Sequence, residues 1–259
     1  VVSLIPISDA NPTRGFPVVT VALIVANIAA FFFLQPGFGT TPEATRYFFD
    51  NVAIPCQLQD DCATEEQEAI EEFGVENVPP SEIIPERSIL SFIGAVLFST
   101  FLHGGFLHIG GNMLFLWVFG NNIEDFLGKV KFLLFYLAAG IVAGFAHVLT
   151  NIEGIPALLP AVGASGAVAG VMGAYLVLHP KARVNTLVAL FFIWTVVQFS
   201  AWIVLGLWFV FQFFTSPDAG VAWMAHVGGF VFGAIAIFIL GGRPQHDHHA
   251  LHYEKIPRF

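Results

Sequence analysis

The chain has 259 residues, of which 56% are hydrophobic and 11% charged, with a mean hydropathy of +0.75. A soluble domain carries about 25% charged residues, so this composition excludes a soluble enzyme or binding module and points to a membrane-integral protein. The net charge of −9 is local: twelve of the nineteen acidic residues lie between Glu43 and Glu86, and the ten scattered Lys and Arg residues form no nucleic-acid footprint.

Residues 1–17 are mixed and punctuated by proline, without a signal-peptide pattern, so the first span is expected to act as its own targeting signal. That span covers 16–34 and stops at Gln35-Pro36-Gly37. A polar loop follows over 35–88, its acidic middle at 64–73 reading as a short surface helix. Residues 89–102 are apolar but fall short of the ~20 needed to cross a bilayer. Further spans are read at 99–119, 132–150, 165–178 and 225–240, the last closed by Gly241-Gly242-Arg243-Pro244. The long run 184–214 is read as a span over about 198–214, preceded by an interfacial piece at 184–197. The runs are unbroken rather than alternating, which argues for helices and against a barrel.

Charge sets the orientation. Six spans with a cytoplasmic N-terminus place Arg14, Lys129, Lys131, Lys181, Arg183, Arg243, Lys255 and Arg258 inside, and only Arg46 and Arg87 outside. A crossing at 89–102 would move four of those inner cations outward, so that segment is expected to be re-entrant or interfacial. The expected architecture is therefore an all-α polytopic membrane protein. It has a cytoplasmic segment at 1–15, a six-helix bundle at 16–240 and a cytoplasmic His-rich tail at 241–259. The first external loop, about 35–106, is long and partly embedded in the membrane.

In this topology the second, fourth and sixth spans run from outside to inside, and each opens on a polar residue. His108 and Asn112 share one face of the second, Ser165 heads the fourth, and His226 heads the sixth. Small residues spaced by four, Gly166 with Gly170 and Gly229 with Gly233, allow close backbone approach between membrane helices. Ser165 is thus a candidate nucleophile and His226 its base. His108, Asn112 and the Ser165 backbone N–H are candidate donors to an oxyanion. No carboxylate is placed to orient His226, which predicts a dyad. A metal-binding reading of His103, His108 and Asn112 lacks an H-E-x-x-H pattern. His147 reads as a packing residue, and His246, His248, His249 and His252 as a solvated tail. Cys56 and Cys62, with five residues between them in the external loop, either close a small disulfide or remain free thiols.

Three motifs carry a family resemblance: His103-Gly-Gly-Phe-Leu-His108-Ile-Gly-Gly-Asn112, Gly163-Ala-Ser165-Gly166, and Ala225-His226-Val-Gly228-Gly229 with Gly233. In this order, and on these spans, they resemble the rhomboid intramembrane serine proteases. The resemblance implies a six-helix bundle that hydrolyses peptide bonds in or near transmembrane segments of other proteins, often after a small residue. It assigns the dyad to Ser165 and His226, the oxyanion positions to His108 and Asn112, and motif support to His103, Gly163, Gly166, Gly229 and Gly233. It makes the fifth span and the cap near 215–223 a substrate gate, with Trp202 as first choice and Trp208 and Phe209 as alternates. Partners are transmembrane substrates and the lipid bilayer, with no nucleic acid, cofactor or metal. Two positions depart from the pattern. Ala169 stands where many relatives carry an aromatic residue packed on the histidine, and the first loop has no Trp. The alternative functions are a catalytically inactive relative that binds membrane clients, and a transporter, which would show paired broken helices. The compartment expected is a prokaryotic plasma membrane, with both termini cytoplasmic and the active site toward the outer side.

Overall fold

The computed structural model describes residues 2–36, 47–48, 50–58, 87–151, 155–158, 160–190, 193–215 and 221–244. The surface helix expected at 64–73, Cys62, most of the cap near 215–223 and the four tail histidines lie outside them.

Strand β1 (Val2–Asp9) precedes helix α1 (Val18–Ala29), which widens into a π turn at Ala30–Leu34. A 3-10 turn at Pro55–Leu58 leads toward α2 (Ile89–Ser99), α3 (Phe106–Leu127) and α4 (Lys129–Thr150). A helical turn at Ile155–Leu158 comes next, then α5 (Ser165–Leu178). Strands β2 (Arg183–Leu190) and β3 (Ile193–Ser200), then α6 (Ala201–Gln212) and α7 (Trp223–Ile239), complete the order. Helix α4 is long and apolar enough to cross a membrane by length and composition, while α1 with its π turn, α2, α5, α6 and α7 are shorter apolar helices.

Helix α5 is the hub. It is buried at nearly every position from Gly166 to Leu178, because its small residues admit neighbours down to the backbone. A Cβ at Gly229 of α7 would fall on the Gly166 carbonyl oxygen, and one at Gly233 on the Gly170 carbonyl oxygen. Those contacts advance in step along both chains, so α5 and α7 run parallel. On its other side α5 meets α4, where Gly166 faces Ala143 and Gly170 faces Ala139, an antiparallel pairing. The rim is apolar. Phe33, Leu107, Leu134, Phe214 and Ile239 are each more than half exposed, as expected of a surface that meets lipid rather than water.

The all-α expectation needs correction at one end of the bundle. The stretch read as an interfacial approach to the fifth span is a hairpin, and β1 pairs with its first strand. The order β1-β2-β3 is antiparallel throughout and puts β2 in the centre. Pro6 is tolerated because β1 is an edge strand, and the register slips beside it, between Pro6 and Ser8. We call this the sheet end and the opposite one the site end.

Helix α1 lacks a side-chain cap of its own. The Glu124 carboxylate of α3 supplies one, accepting from Val19 N–H at 2.9 Å, Thr20 N–H at 2.7 Å and Thr20 Oγ1 at 2.8 Å. This satisfies orphan donors and places negative charge at a helix N-terminus. Arg14 adds an ion pair to Asp125 at 3.0 Å.

Candidate functional site

Gly163 sets the approach to Ser165. Its φ of +116° lies in the left-handed region, and a Cβ there would stand 2.6 Å from His108 Nε2 and 3.6 Å from Asn112 Nδ2. Glycine is therefore required twice over, by backbone conformation and by space. The loop is pinned to the end of α2, with Gly163 N–H donating to the Ser99 carbonyl at 2.9 Å. A further bond joins Ala161 N–H to the Ala53 carbonyl at 3.1 Å.

Ser165 is the first residue of α5, and its Oγ lies 2.8 Å from His226 Nε2. The parallel contact of α5 with α7 through glycine backbones brings the two side chains together. The other imidazole nitrogen, Nδ1, lies 2.7 Å from Gln212 Oε1 of α6. The Trp208 ring packs against the imidazole, with centroids 5.7 Å apart and an interplanar angle of 39°. Ala169, where the resemblance leads one to look for an aromatic, is fully buried. The aromatic neighbour of His226 comes from α6 instead.

His108 and Asn112, one turn apart on α3, line a cleft of about 520 Å³ together with Gly104, Ser165, Trp208 and His226. Gly104 N–H donates to His108 Nδ1 at 3.3 Å, which leaves Nε2 as the N–H donor of a neutral ring. Asn112 Nδ2 is buried and has no hydrogen-bond partner among the described residues. An unpaired buried donor is costly, and here it faces a cleft. His147, expected only to pack, lines the same cleft. His103 does not line it. It is fully buried, edge-on to His108 with centroids 5.2 Å apart. Gln35 clamps its backbone, with Nε2 donating to the His103 carbonyl and Oε1 accepting from its N–H, both at 3.0 Å.

The three aromatics proposed for the gate separate. Helix α6 starts at the sheet end, so Trp202 in its first turn lies far from Ser165; it is exposed, and its backbone N–H donates to the Pro180 carbonyl at 3.0 Å. Trp208 packs on His226. Phe209 packs on Phe230 of α7, with centroids 4.7 Å apart. At the site end the α6–α7 gap is closed by Phe213 against Trp223 at 5.9 Å, a pair that sequence reading did not single out. Cys56 is fully buried and disulfide-bonded.

Sequence reasoning also missed Gln35 and Gln212. A glutamine in or beside an apolar span is costly enough to mark it for attention, but Gln35 read as a stop signal and Gln212 was passed over inside the span read at 198–214.

This arrangement can move a proton. The serine hydroxyl lies within hydrogen-bond reach of an imidazole whose far nitrogen meets Gln212, and donors from α3 face the same cleft. A scan against family models matches the Rhomboid domain over residues 93–243. The human "Presenilin-associated rhomboid-like protein, mitochondrial" is 30% identical over 146 residues, 53% of this chain and 35% of the relative. Yeast (Saccharomyces cerevisiae) "Rhomboid protein 1, mitochondrial" is 36% identical over 98 residues, 38% of this chain and 27% of the relative. "Rhomboid protease GluP" of Bacillus subtilis is 34% identical over 141 residues, 54% of this chain and 24% of the relative. The matches thus cover about a third or less of these relatives' own length. The domain match covers more than half of the chain, and the chain belongs to the rhomboid family, with its helical, polytopic membrane fold.

Proposed function

We propose that the protein is an intramembrane serine endopeptidase, with Ser165 as nucleophile and His226 as general base. The observation that supports this best is the 2.8 Å contact between Ser165 Oγ and His226 Nε2, made across two helices in backbone contact. Ser165 Oγ attacks the scissile carbonyl carbon while its proton passes to His226 Nε2. Asn112 Nδ2, His108 Nε2 and the Ser165 N–H face the oxyanion. The C–N bond then breaks, Nε2 returns its proton to the leaving amine, and water activated by the same imidazole releases the acyl group.

The substrates are transmembrane segments of other proteins. A smaller cavity of about 40 Å³ beside Ser165 is walled by Val96, Gly140, Ala143, Gly144 and Gly166, which favours a small residue at the cleavage site. We assign six spans to α1, α3, α4, α5, α6 and α7, with α2 embedded from the site end. The charge distribution supports an outward-facing site end with the sheet on the cytoplasmic side. A 14-residue helix is only about 21 Å long, against a hydrocarbon core of ~30 Å, which favours a Ser165 below the surface in a water-filled cleft. Relatives with mitochondrial names and one from Bacillus subtilis give a prokaryotic plasma membrane no preference over an organellar one.

The test is reconstitution with labelled transmembrane peptides, mass spectrometry of the products, and fluorophosphonate labelling. Wild type should cut and label, and Ser165→Ala and His226→Ala should do neither while remaining folded. A wild type that binds the peptides but neither cuts nor labels would overturn the reading in favour of an inactive client-binding protein.

A further inference from the structure

We propose that Gln212 is the positioning residue of the base: its amide oxygen fixes the tautomer and the orientation of His226. This rests on the serine–histidine reading above. Gln212 is the last residue of α6 and is 8% exposed. Its amide is held in one sense, because Nε2 donates to the Trp208 carbonyl one turn earlier at 2.9 Å. Oε1 must therefore be the atom that meets His226 Nδ1 at 2.7 Å.

An amide oxygen only accepts, so Nδ1 carries the ring hydrogen. The lone pair of the neutral ring is then on Nε2, the nitrogen 2.8 Å from Ser165 Oγ. That is the form in which a histidine can take the serine proton. The other tautomer would set an N–H against the hydroxyl and a lone pair against Oε1. In a serine–histidine–aspartate triad a carboxylate does this work. Here the partner is neutral, which avoids a charge inside the bundle, and its dipole still presents a negative end to the imidazolium that forms. Trp208, four residues before Gln212, packs on the same ring. Both supports of the base thus project from one face of α6.

The test compares Gln212→Leu and Gln212→Glu with wild type by fluorophosphonate labelling rate, kcat and KM on a transmembrane substrate, and the pH profile of kcat. Leu keeps the bulk and loses the acceptor. Losing the partner that orients a metal-binding histidine commonly costs about 10- to 100-fold, and we take the same order for an orienting partner here. We expect that loss in kcat and labelling rate, with KM unchanged and a melting temperature no lower than wild type. Glu restores an acceptor, so it should recover most of the rate. It should also move the acid limb of the profile to higher pH, because a carboxylate beside Nδ1 favours the protonated ring. Wild-type rates for Gln212→Leu, a loss accompanied by a fall in melting temperature, or no recovery with Glu would overturn the proposal. A wild type that neither labels nor cuts, or a Ser165→Ala that cuts fully, would instead refute the protease reading.

Discussion

Tyr175 donates its hydroxyl to Asp9 Oδ2 at 2.6 Å, joining the middle helix of the bundle to the first strand across 166 residues. The same oxygen accepts from Asn122 at 2.9 Å. Asn122 Oδ1 in turn accepts from Asn11 Nδ2 at 3.2 Å, and that same Asn11 nitrogen lies 2.9 Å from His179 Nδ1. Burial pushes the Asp9 carboxyl up from 3.8 to about 6, against the opposing effect of these hydrogen bonds. A raised acid favours the folded state most below its unfolded value, and the contribution is lost as pH rises through the folded one. The melting temperature of wild type relative to Asp9→Asn should therefore fall between about pH 4 and pH 6 and stay level above. A constant difference across that range would show that folding does not raise the Asp9 carboxyl.

Helix contact at glycine backbones makes a second prediction. Gly229→Ala puts a methyl on the Gly166 carbonyl oxygen, so α5 and α7 must part and Ser165 must leave His226. Overpacking of this kind costs about 1–3 kcal/mol, and a misplacement of roughly 1 Å can cost 10²-fold in rate. Gly110→Ala, with nothing within 4 Å of the new methyl, is the matched control and should keep wild-type cleavage. Equal activity in both variants would contradict the packing described here.

Asn112→Ala should slow cleavage without ending it. Loss of one oxyanion donor in serine hydrolases costs on the order of 10²–10³, and His108, which stands beside the same glycine, moderates the effect. The double change of His108 and Asn112 should be far slower than either. An unchanged kcat for the double variant would remove both from the oxyanion site.

Aromatic trimming on α6 should give three different answers. Phe213→Ala opens the contact with Trp223 and should speed cleavage of a transmembrane substrate, leaving a small soluble ester unaffected. Trp208→Ala takes away a face of His226 and should slow both. Trp202→Ala should change neither. A faster Trp208→Ala enzyme would mean that the ring blocks entry more than it supports the base.

Orientation has its own check. In a protein otherwise unchanged, a cysteine at Lys181 should resist an impermeant reagent added outside intact cells, and one at Glu68 should react. The reverse pattern would put the site end on the cytoplasmic side.

The polar residues at the heads of three helices were legible in sequence because such groups are rare in apolar segments and fall on helices of one direction. Helix α5 matches its expected bounds, with Gly163 just before it and His179-Pro180 just after it. The sheet was not legible. Residues 184–197 are mostly apolar, and two of their polar members, Asn185 and Thr186, are adjacent rather than alternating, so no period-2 pattern stands out from the helix that follows. Pro6 also argues against a strand unless one knows that β1 lies at an edge. Gln212 escaped for another reason: its meaning depends on the face α6 turns to α7, and an all-round apolar helix does not declare that face.

The pairing of β1 with β2 also has a temporal side. A ribosome adding about 5–20 residues per second completes β1 roughly 10–40 s before β2 exists to receive it. The Glu124 cap on α1 is available much earlier, once α3 has been made. The strand β1 must wait for β2 through the synthesis of five helices, α1 to α5, as a short strand interrupted by proline, a form that resists pairing with a neighbouring chain. Its docking closes the end of the bundle opposite the serine, and α7, which brings His226 to Ser165, is made only after that.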